Sequence, residues 1–356
     1  MIQAKIAGMG QWIPEEVRTN DAWPLGFAEL SKASSQRELI DIEQKASCLA
    51  DEITLRNMNA EAGDPFLGAC ERRIASPDIT PAEAATHAAR AAIKDAGVDP
   101  KDIDAVLSWD AVPELVGPSS SSRVAYLVGA HNAYGVGIDV ACASFISQLD
   151  LASALIKAEH AKTILLTQTH FMTRPIKMMH PASPTVGDIA TAAVVTAQTD
   201  LSKGILPMHA RSYGEAYYAV LWTRGQKVQN TWYQKGGDFY LGTADLDIVR
   251  ELVRTTVRGA SEMILETLAK SNCPLDEVSA LISIQPRKWI PAAIAEAAGI
   301  KAPAPTTFDR FCHIGGCGLV ANLIKAREMG LLTPQAKTIL FGQGAGFIKA
   351  AMLILW

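Results

Sequence analysis

The chain has 356 residues, of which 49% are hydrophobic and 20% charged, with a formal net charge of −4. That length holds one large α/β domain or two fused smaller ones, and the composition excludes a disordered or fibrous chain. The negative balance argues against general nucleic-acid binding, which needs a basic footprint.

The N-terminal stretch MIQAKIAGMGQWIPEEV lacks the layout of a signal peptide and reads as a strand followed by a turn. No apolar run reaches the length of about 20 residues that a membrane span requires. Six cysteines stand at positions 48, 70, 142, 273, 312 and 317, without a C-x-x-C pair. The pair Cys312/Cys317 encloses a single histidine, a poor zinc pattern, so no metal is expected; no cofactor is expected either. Free thiols fit a cytoplasmic protein.

Taken in chain order, residues 81–96 read as an alanine-rich helix with proline at its start. Residues 104–109 (DAVLSW) and 138–141 read as strands, 145–160 as a helix, and 163–168 (TILLTQ) and 192–197 (AAVVTA) as strands. In the second half, residues 246–271 carry Ile248, Leu252, Val257, Met263 and Leu265 at helical spacing. A strand at 280–283, helices at 291–298 and 318–329, and strands at 338–341 and 350–355 follow. This is an α/β alternation in which the order helix, strand with a site residue, helix, strand occurs twice. We therefore expect two similar halves, residues 1–200 and 201–356. Near the start of the second, residues 209–240 carry Tyr213, Tyr217, Tyr218, Trp222, Trp232, Tyr233, Phe239 and Tyr240. That is more large rings than a surface loop normally holds; a tunnel lining, an interface cover and a loop packed on the core all remain open.

The stretch GIDVACASFISQLDLASALIKAEH sets Cys142 between two alanines at the start of an apolar helix. The positive end of a helix dipole lowers a thiol pKa, and the small neighbours Ala141, Ala143 and Ser144 leave room above the sulfur. That is a nucleophile arrangement. A buried, inert core thiol is the competing reading, since free cysteine is among the most buried residue types.

The segment D-V-A-C-A-S-F resembles the active-site motif of the β-ketoacyl-acyl carrier protein synthase III family of the thiolase superfamily, whose usual form is D-x-x-x-A-C-A-G-F. Four further segments resemble that family in the same order: Glu71 to Gly97 (ERRIASPDITPAEAATHAARAAIKDAG), Val116 to Ala130 (VGPSSSSRVAYLVGA), Val186 to Val195 (VGDIATAAVV, for the family's FGDGAGAVVL) and Phe341 to Phe347 (FGQGAGF). The resemblance implies a five-layered α-β-α-β-α thiolase-like fold, a homodimer, and a thioester substrate that acylates Cys142. It also implies an oxyanion site made by the Cys142 N–H and an N–H from the loop Gly344, Ala345 and Gly346. Backbone donors suit that task because they are preorganised, and glycines let the loop come close.

The pattern breaks at two places. The family's condensing members carry a histidine in H-Q-A-N and an asparagine in D-R-Y-G-N-T-S. Here the matching segments are LISIQPRKWI, from Leu281, and FDRFCHIGGCG, from Phe308. The histidine position falls on Ile284 and the asparagine position on His313. In a decarboxylating condensation two donors hold the thioester oxygen as the enolate forms; losing one impairs that step by about 2–4 kcal/mol. A histidine beside the cysteine keeps another ability, to take a proton from a hydroxyl or amine that attacks the acyl-enzyme. The expected catalytic set is Cys142 as nucleophile, His313 as base, Gln285 as an amide donor replacing the lost histidine, and Asp309 orienting His313.

His180, in the stretch THFMTRPIKMMHPASPTVGD that also holds His170, is a candidate contact at the site floor; a loop histidine is the alternative. Arg287, Lys288 and Trp222 are further candidate substrate or carrier contacts. The family's coenzyme A segment, W-I-x-x-R-T-G-I before E-R-R, is here NMNAEAGDPFLGACERR, without the Trp and the first Arg. An acyl carrier protein, or coenzyme A in an unusual pose, is therefore the expected donor, and the two basic residues suit an acidic carrier. Expected partners are this acyl-thioester donor and a small-molecule acceptor, with no nucleic acid and no membrane. The expected reaction is acyl transfer through Cys142 to an oxygen, nitrogen or carbon nucleophile in polyketide-like or fatty-acid-like specialised metabolism. A carbon–carbon condensing enzyme and a non-catalytic partner subunit of a heterodimer stay in play.

Overall fold

Two glycines on the first strand, Gln3–Trp12, explain how helix Pro81–Ala96 docks. A Cβ at Gly8 would overlap the Ala92 carbonyl oxygen, and one at Gly10 the Ala88 carbonyl oxygen. The backbone of helix Pro81–Ala96 thus lies directly on the strand, which its own buried alanines also permit. The helix starts where its sequence says: Thr80 and Glu83 form a reciprocal capping box, Pro81 occupies the first turn, and Gly97 closes the end at φ 66°. The computed structural model describes residues 2–31, 46–224, 239–243 and 246–356.

The first sheet runs in the order Gln3–Trp12, Asp188–Gln198, Thr163–Phe171, Ala105–Asp110, Tyr134–Gly137. Its last three strands are parallel, and Asp188–Gln198 is antiparallel to both of its neighbours. The second sheet runs Ala280–Ser283, Lys337–Gly344, Ile348–Leu355, with Gly204–Ile205 and His209–Ser212 both pairing the last. Its first pair is parallel and the rest antiparallel. The first sheet has three parallel strands and the second has two; in each, an antiparallel return strand follows and then the strand that comes first in that half.

Helices Ser144–Lys157 and Cys317–Glu328 lie between the sheets, and helices Pro81–Ala96 and Leu246–Lys270 cover the outer faces. The layers therefore alternate α-β-α-β-α, the thiolase-like arrangement of two similar halves. The central helices have the composition this position demands. Phe145, Ile146, Leu149 and Ala152 are fully buried, as are Leu319, Val320, Leu323 and Ala326. A helix apolar on nearly every side is stable only when covered on both faces.

The strand expected at 138–141 is displaced. The observed strand is Tyr134–Gly137, and Ala141–Ala143 form a single 3-10 turn leading into helix Ser144–Lys157. The other expected elements are present with ends shifted by a few residues. Trp232 and Tyr233 lie outside the described residues. Among those residues no helix is long and apolar enough to cross a membrane.

Candidate active site

Cys142 sits at the centre of a clamped turn. Ala141, just before it, has φ 50°, a left-handed conformation that costs a non-glycine residue about 1–2 kcal/mol. Local bonds hold it there. Asp139 Oδ1 accepts from the Ala141 N–H at 2.9 Å and from the Trp109 indole N–H at 2.9 Å. The Ser144 hydroxyl accepts from the Val140 N–H at 3.0 Å. The glycine-rich strand end closes over the turn: a Cβ at Gly344 would overlap the Val140 carbonyl oxygen, and one at Gly342 would come within 3.2 Å of Ala143 Cα.

His313 reaches the same point from the other half. Its backbone N–H donates to Thr185 O at 2.7 Å, and its carbonyl accepts from Gly187 at 3.3 Å. The segment it is pinned to is itself anchored by Arg72, a fully buried guanidinium. Arg72 donates to Pro184 O through Nε (3.0 Å) and Nη2 (2.7 Å), to Arg18 O and to Asn20, and it stacks 4.4 Å over the Trp23 ring. This is the structural role of the E-R-R stretch. His313 Nε2 lies 3.5 Å from Cys142 Sγ.

Both groups rest uncharged. Burial, and then the Asp139 charge, push the Cys142 thiol up to about 12, although its own N–H faces the sulfur and favours the thiolate. The expected lowering by the helix dipole is thus outweighed, because Cys142, although partly exposed to the cavity it lines, is surrounded by protein atoms that disfavour the thiolate. Burial holds His313 down to about 4, with Arg287 acting in the same direction. Its Nδ1 makes no hydrogen bond among the described residues. The Gln285 backbone, near enough to favour the protonated ring, stops short of one.

A cavity of about 1820 Å³ opens from this pair. Ala345 and Gly346 line it, whereas Gly344 packs against the Cys142 turn. His180, Trp222 and Arg287 also line it, together with Tyr217 and Tyr218. His180 Nδ1 accepts from the Ala182 N–H at 3.1 Å.

Two expected roles are corrected. The fully buried Gln285 donates to Cys312 O at 2.7 Å and accepts from Thr306 Oγ1 (2.9 Å) and the Thr307 N–H (3.0 Å). Its amide is committed to holding the chain one residue before His313 and does not face the cavity. Asp309 is half exposed and pairs with Lys288 at 2.8 Å, away from His313. Lys288 itself does not line the cavity. The basic docking patch is also weaker than expected, since Arg287 Nε lies 3.7 Å from Glu61, which also accepts from the Trp289 indole.

The sequence reading gave His170 no role, yet it is the residue that stands nearest in kind to His313. It lies on strand Thr163–Phe171, is 2% exposed, lines the cavity, and sets its ring edge-on to His313 with centroids 5.8 Å apart. Its Nδ1 is 2.7 Å from Gly187 O. Gly315, at φ 53°, makes room for it: a Cβ there would lie 2.6 Å from His170 Cδ2 and 2.9 Å from the Trp109 ring. The doublet Gly315-Gly316 after His313 was the available signal, since consecutive glycines mark a close approach.

A profile of the family 3-Oxoacyl-[acyl-carrier-protein (ACP)] synthase III matches residues 137–214, which begin at the end of the strand before Cys142. A β-ketoacyl-[acyl-carrier-protein] synthase III of Nitratidesulfovibrio vulgaris is 25% identical over 361 residues, covering 99% of this chain and 98% of the relative. In fold the chain is similar to a priming β-ketosynthase of a polyketide biosynthetic pathway (TM-score 0.79, 21% identity, covering 99% of this chain and 96% of that one). It is also similar to Xanthomonas campestris OleA with bound lauric acid and lauroyl-CoA (TM-score 0.74, 18% identity, covering 99% of each). Motif order, fold and matches over the full length agree: the chain has the fold of the synthase III proteins and is similar to them from end to end.

Proposed function

We propose that the protein is an acyltransferase that takes an acyl group from a thioester onto Cys142 and passes it to a small nucleophilic acceptor. The observation that carries this is the 3.5 Å contact between Cys142 Sγ and His313 Nε2 at the wall of the cavity. In the first half-reaction Sγ attacks the thioester carbonyl carbon while His313 Nε2 takes the thiol proton. The oxyanion is received by the Cys142 N–H and the Ala345–Gly346 backbone. The bond to the donor sulfur breaks, and the donor leaves as a thiol with the proton from His313. In the second half-reaction the acceptor attacks the acyl carbon and Cys142 is regenerated.

The donor is an acyl carrier protein or coenzyme A. The lauroyl-CoA in the OleA structure supports a long acyl thioester within this fold. The cavity volume of 1820 Å³ is above the roughly 300–1,000 Å³ of sites for single drug-sized ligands, as needed for an acyl chain and an acceptor together. Ile284, buried and apolar, and the committed amide of Gln285 weigh against decarboxylating condensation, which needs a second donor at the thioester oxygen. The intact Cys142–His313 contact weighs against a non-catalytic partner subunit. Intact-protein mass spectrometry of wild type and Cys142→Ala after incubation with acyl-coenzyme A and acyl-carrier donors tests the reading. An acyl increment on wild type alone supports it; no increment from any donor overturns it.

A further inference from the structure

We infer that the acceptor is a primary amine, held between two imidazoles, and that His170 is its second binding residue. The inference rests on the acyl-enzyme reading above and deepens it. A carbonyl oxygen only accepts, so the 2.7 Å contact with Gly187 O places the His170 proton on Nδ1. The ring is buried and neutral, which leaves Nε2 as a bare lone pair. That nitrogen has no hydrogen-bond partner among the described residues. Since Nδ1 is engaged, Nε2 is the only polar atom the ring offers to the cavity it lines. His313, whose Nε2 lies 3.5 Å from Cys142 Sγ, supplies the second nitrogen. Once Cys142 is acylated it has no thiol proton to share, and Nε2 of His313 becomes an acceptor as well.

Two acceptor-only nitrogens on rings 5.8 Å apart suit a group with two N–H donors. An enolate or thioester oxygen would instead face two lone pairs and no donor. A hydroxyl has one proton and satisfies one imidazole only. In the step that follows, the amine nitrogen forms a bond to the acyl carbon and one of its protons moves to His313 Nε2. The acyl carbon–Sγ bond breaks, and His313 returns that proton to Cys142. The second N–H stays on the nitrogen and stays bonded to His170. The products are an amide and the free thiol, with no net change in protons or electrons.

The test uses full-length protein loaded from acetyl-, octanoyl- or lauroyl-coenzyme A and then challenged with benzylamine, benzyl alcohol or malonyl-coenzyme A. Loss of the acyl increment is read by mass spectrometry against the same acyl-protein after denaturation. Wild type is expected to be discharged by benzylamine, with release of the N-benzyl amide, about tenfold or more faster than by benzyl alcohol, the worth of one hydrogen bond. Malonyl-coenzyme A is expected to yield no condensed product. His170→Asn keeps an N–H for Gly187 O and deletes the second ring nitrogen. It is expected to acylate Cys142 but to lose most of the preference for amine over alcohol. Equal discharge by amine and alcohol in wild type, an unchanged preference in His170→Asn, or a condensed product from malonyl-coenzyme A would overturn the inference while the acyl-enzyme stands. If none of the three donors loads Cys142, the acyl-enzyme reading has failed and this inference falls with it.

Discussion

Nε2 of His313 lies 3.5 Å from Sγ of Cys142, and each group is held in its uncharged form by burial. The pair is thus a thiol beside a base, and not a preformed thiolate–imidazolium ion pair.

Alkylation reads this directly. Iodoacetamide should label Cys142 slowly at pH 7, with a rate still rising above pH 10, because the thiol is pushed up to about 12. The exposed Cys70 supplies an internal reference in the same digest. Asp139→Asn keeps Oδ1 for the Trp109 and Ala141 donors and removes the charge that disfavours the thiolate. It should raise the labelling rate of Cys142 at pH 8 several-fold relative to Cys70. An unchanged ratio would place the origin of the high pKa elsewhere.

Acid stability is a second consequence. His170 and His313 are held down to about 3 and about 4 in the folded protein, below their ordinary value of 6.5. Between those limits the unfolded chain binds more protons than the folded one, so stability rises with pH there. The contribution is full above pH 6.5 and is lost as pH falls toward the folded values. Thermal melts should therefore drop steeply from pH 7 to pH 4. His170→Asn should lower the slope of unfolding free energy against pH by up to one proton over that window.

The site owes its shape to glycines. Gly344→Ala forces a Cβ into the Val140 carbonyl, and Gly315→Ala sets one 2.6 Å from His170 at φ 53°. Each should destabilise the fold by about 1–3 kcal/mol, as overpacked core positions do. Gly346 has open space around it, and the alanine variant there is strained only by its φ of 104°. Chemical denaturation of the three variants should rank Gly346→Ala as the mildest.

What the sequence made legible was local. The Thr80–Glu83 box and Pro81 announce their helix, and D-V-A-C-A-S-F marks the turn that carries Cys142. His313 follows from the position of a missing asparagine. The errors concern residues whose partners are remote in sequence. Gln285 is tied to Thr306, Thr307 and Cys312, and Asp309 is drawn to Lys288; neither pairing has a periodicity to reveal it. His170 sits in a strand of nine buried residues and reads as core until Gly187 fixes its tautomer. The displaced strand before Cys142 has the same origin: Asp139 bends the chain at Ala141 where the apolar run alone suggests extension.

Two ion pairs stand at or near the cavity, of which Glu61 and Arg287 line it and Lys288 and Asp309 do not. Glu61 and Asp309 offset Arg287 and Lys288. Glu61→Gln with Asp309→Asn should unmask both cations and raise the association rate of an acidic acyl carrier protein several-fold at low salt. Stopped-flow binding should show the gain vanish at high salt, where such interactions are screened.

The most direct test of the account is the rate at which Cys142 becomes acylated, followed by rapid-quench mass spectrometry in wild type and His313→Ala with the same acyl-thioester donor. Wild type is expected to load one acyl group on Cys142, and His313→Ala to load it about 100-fold more slowly or worse, the usual worth of a positioned base. Equal rates in the two proteins, or an acyl group on any residue other than Cys142, would contradict it.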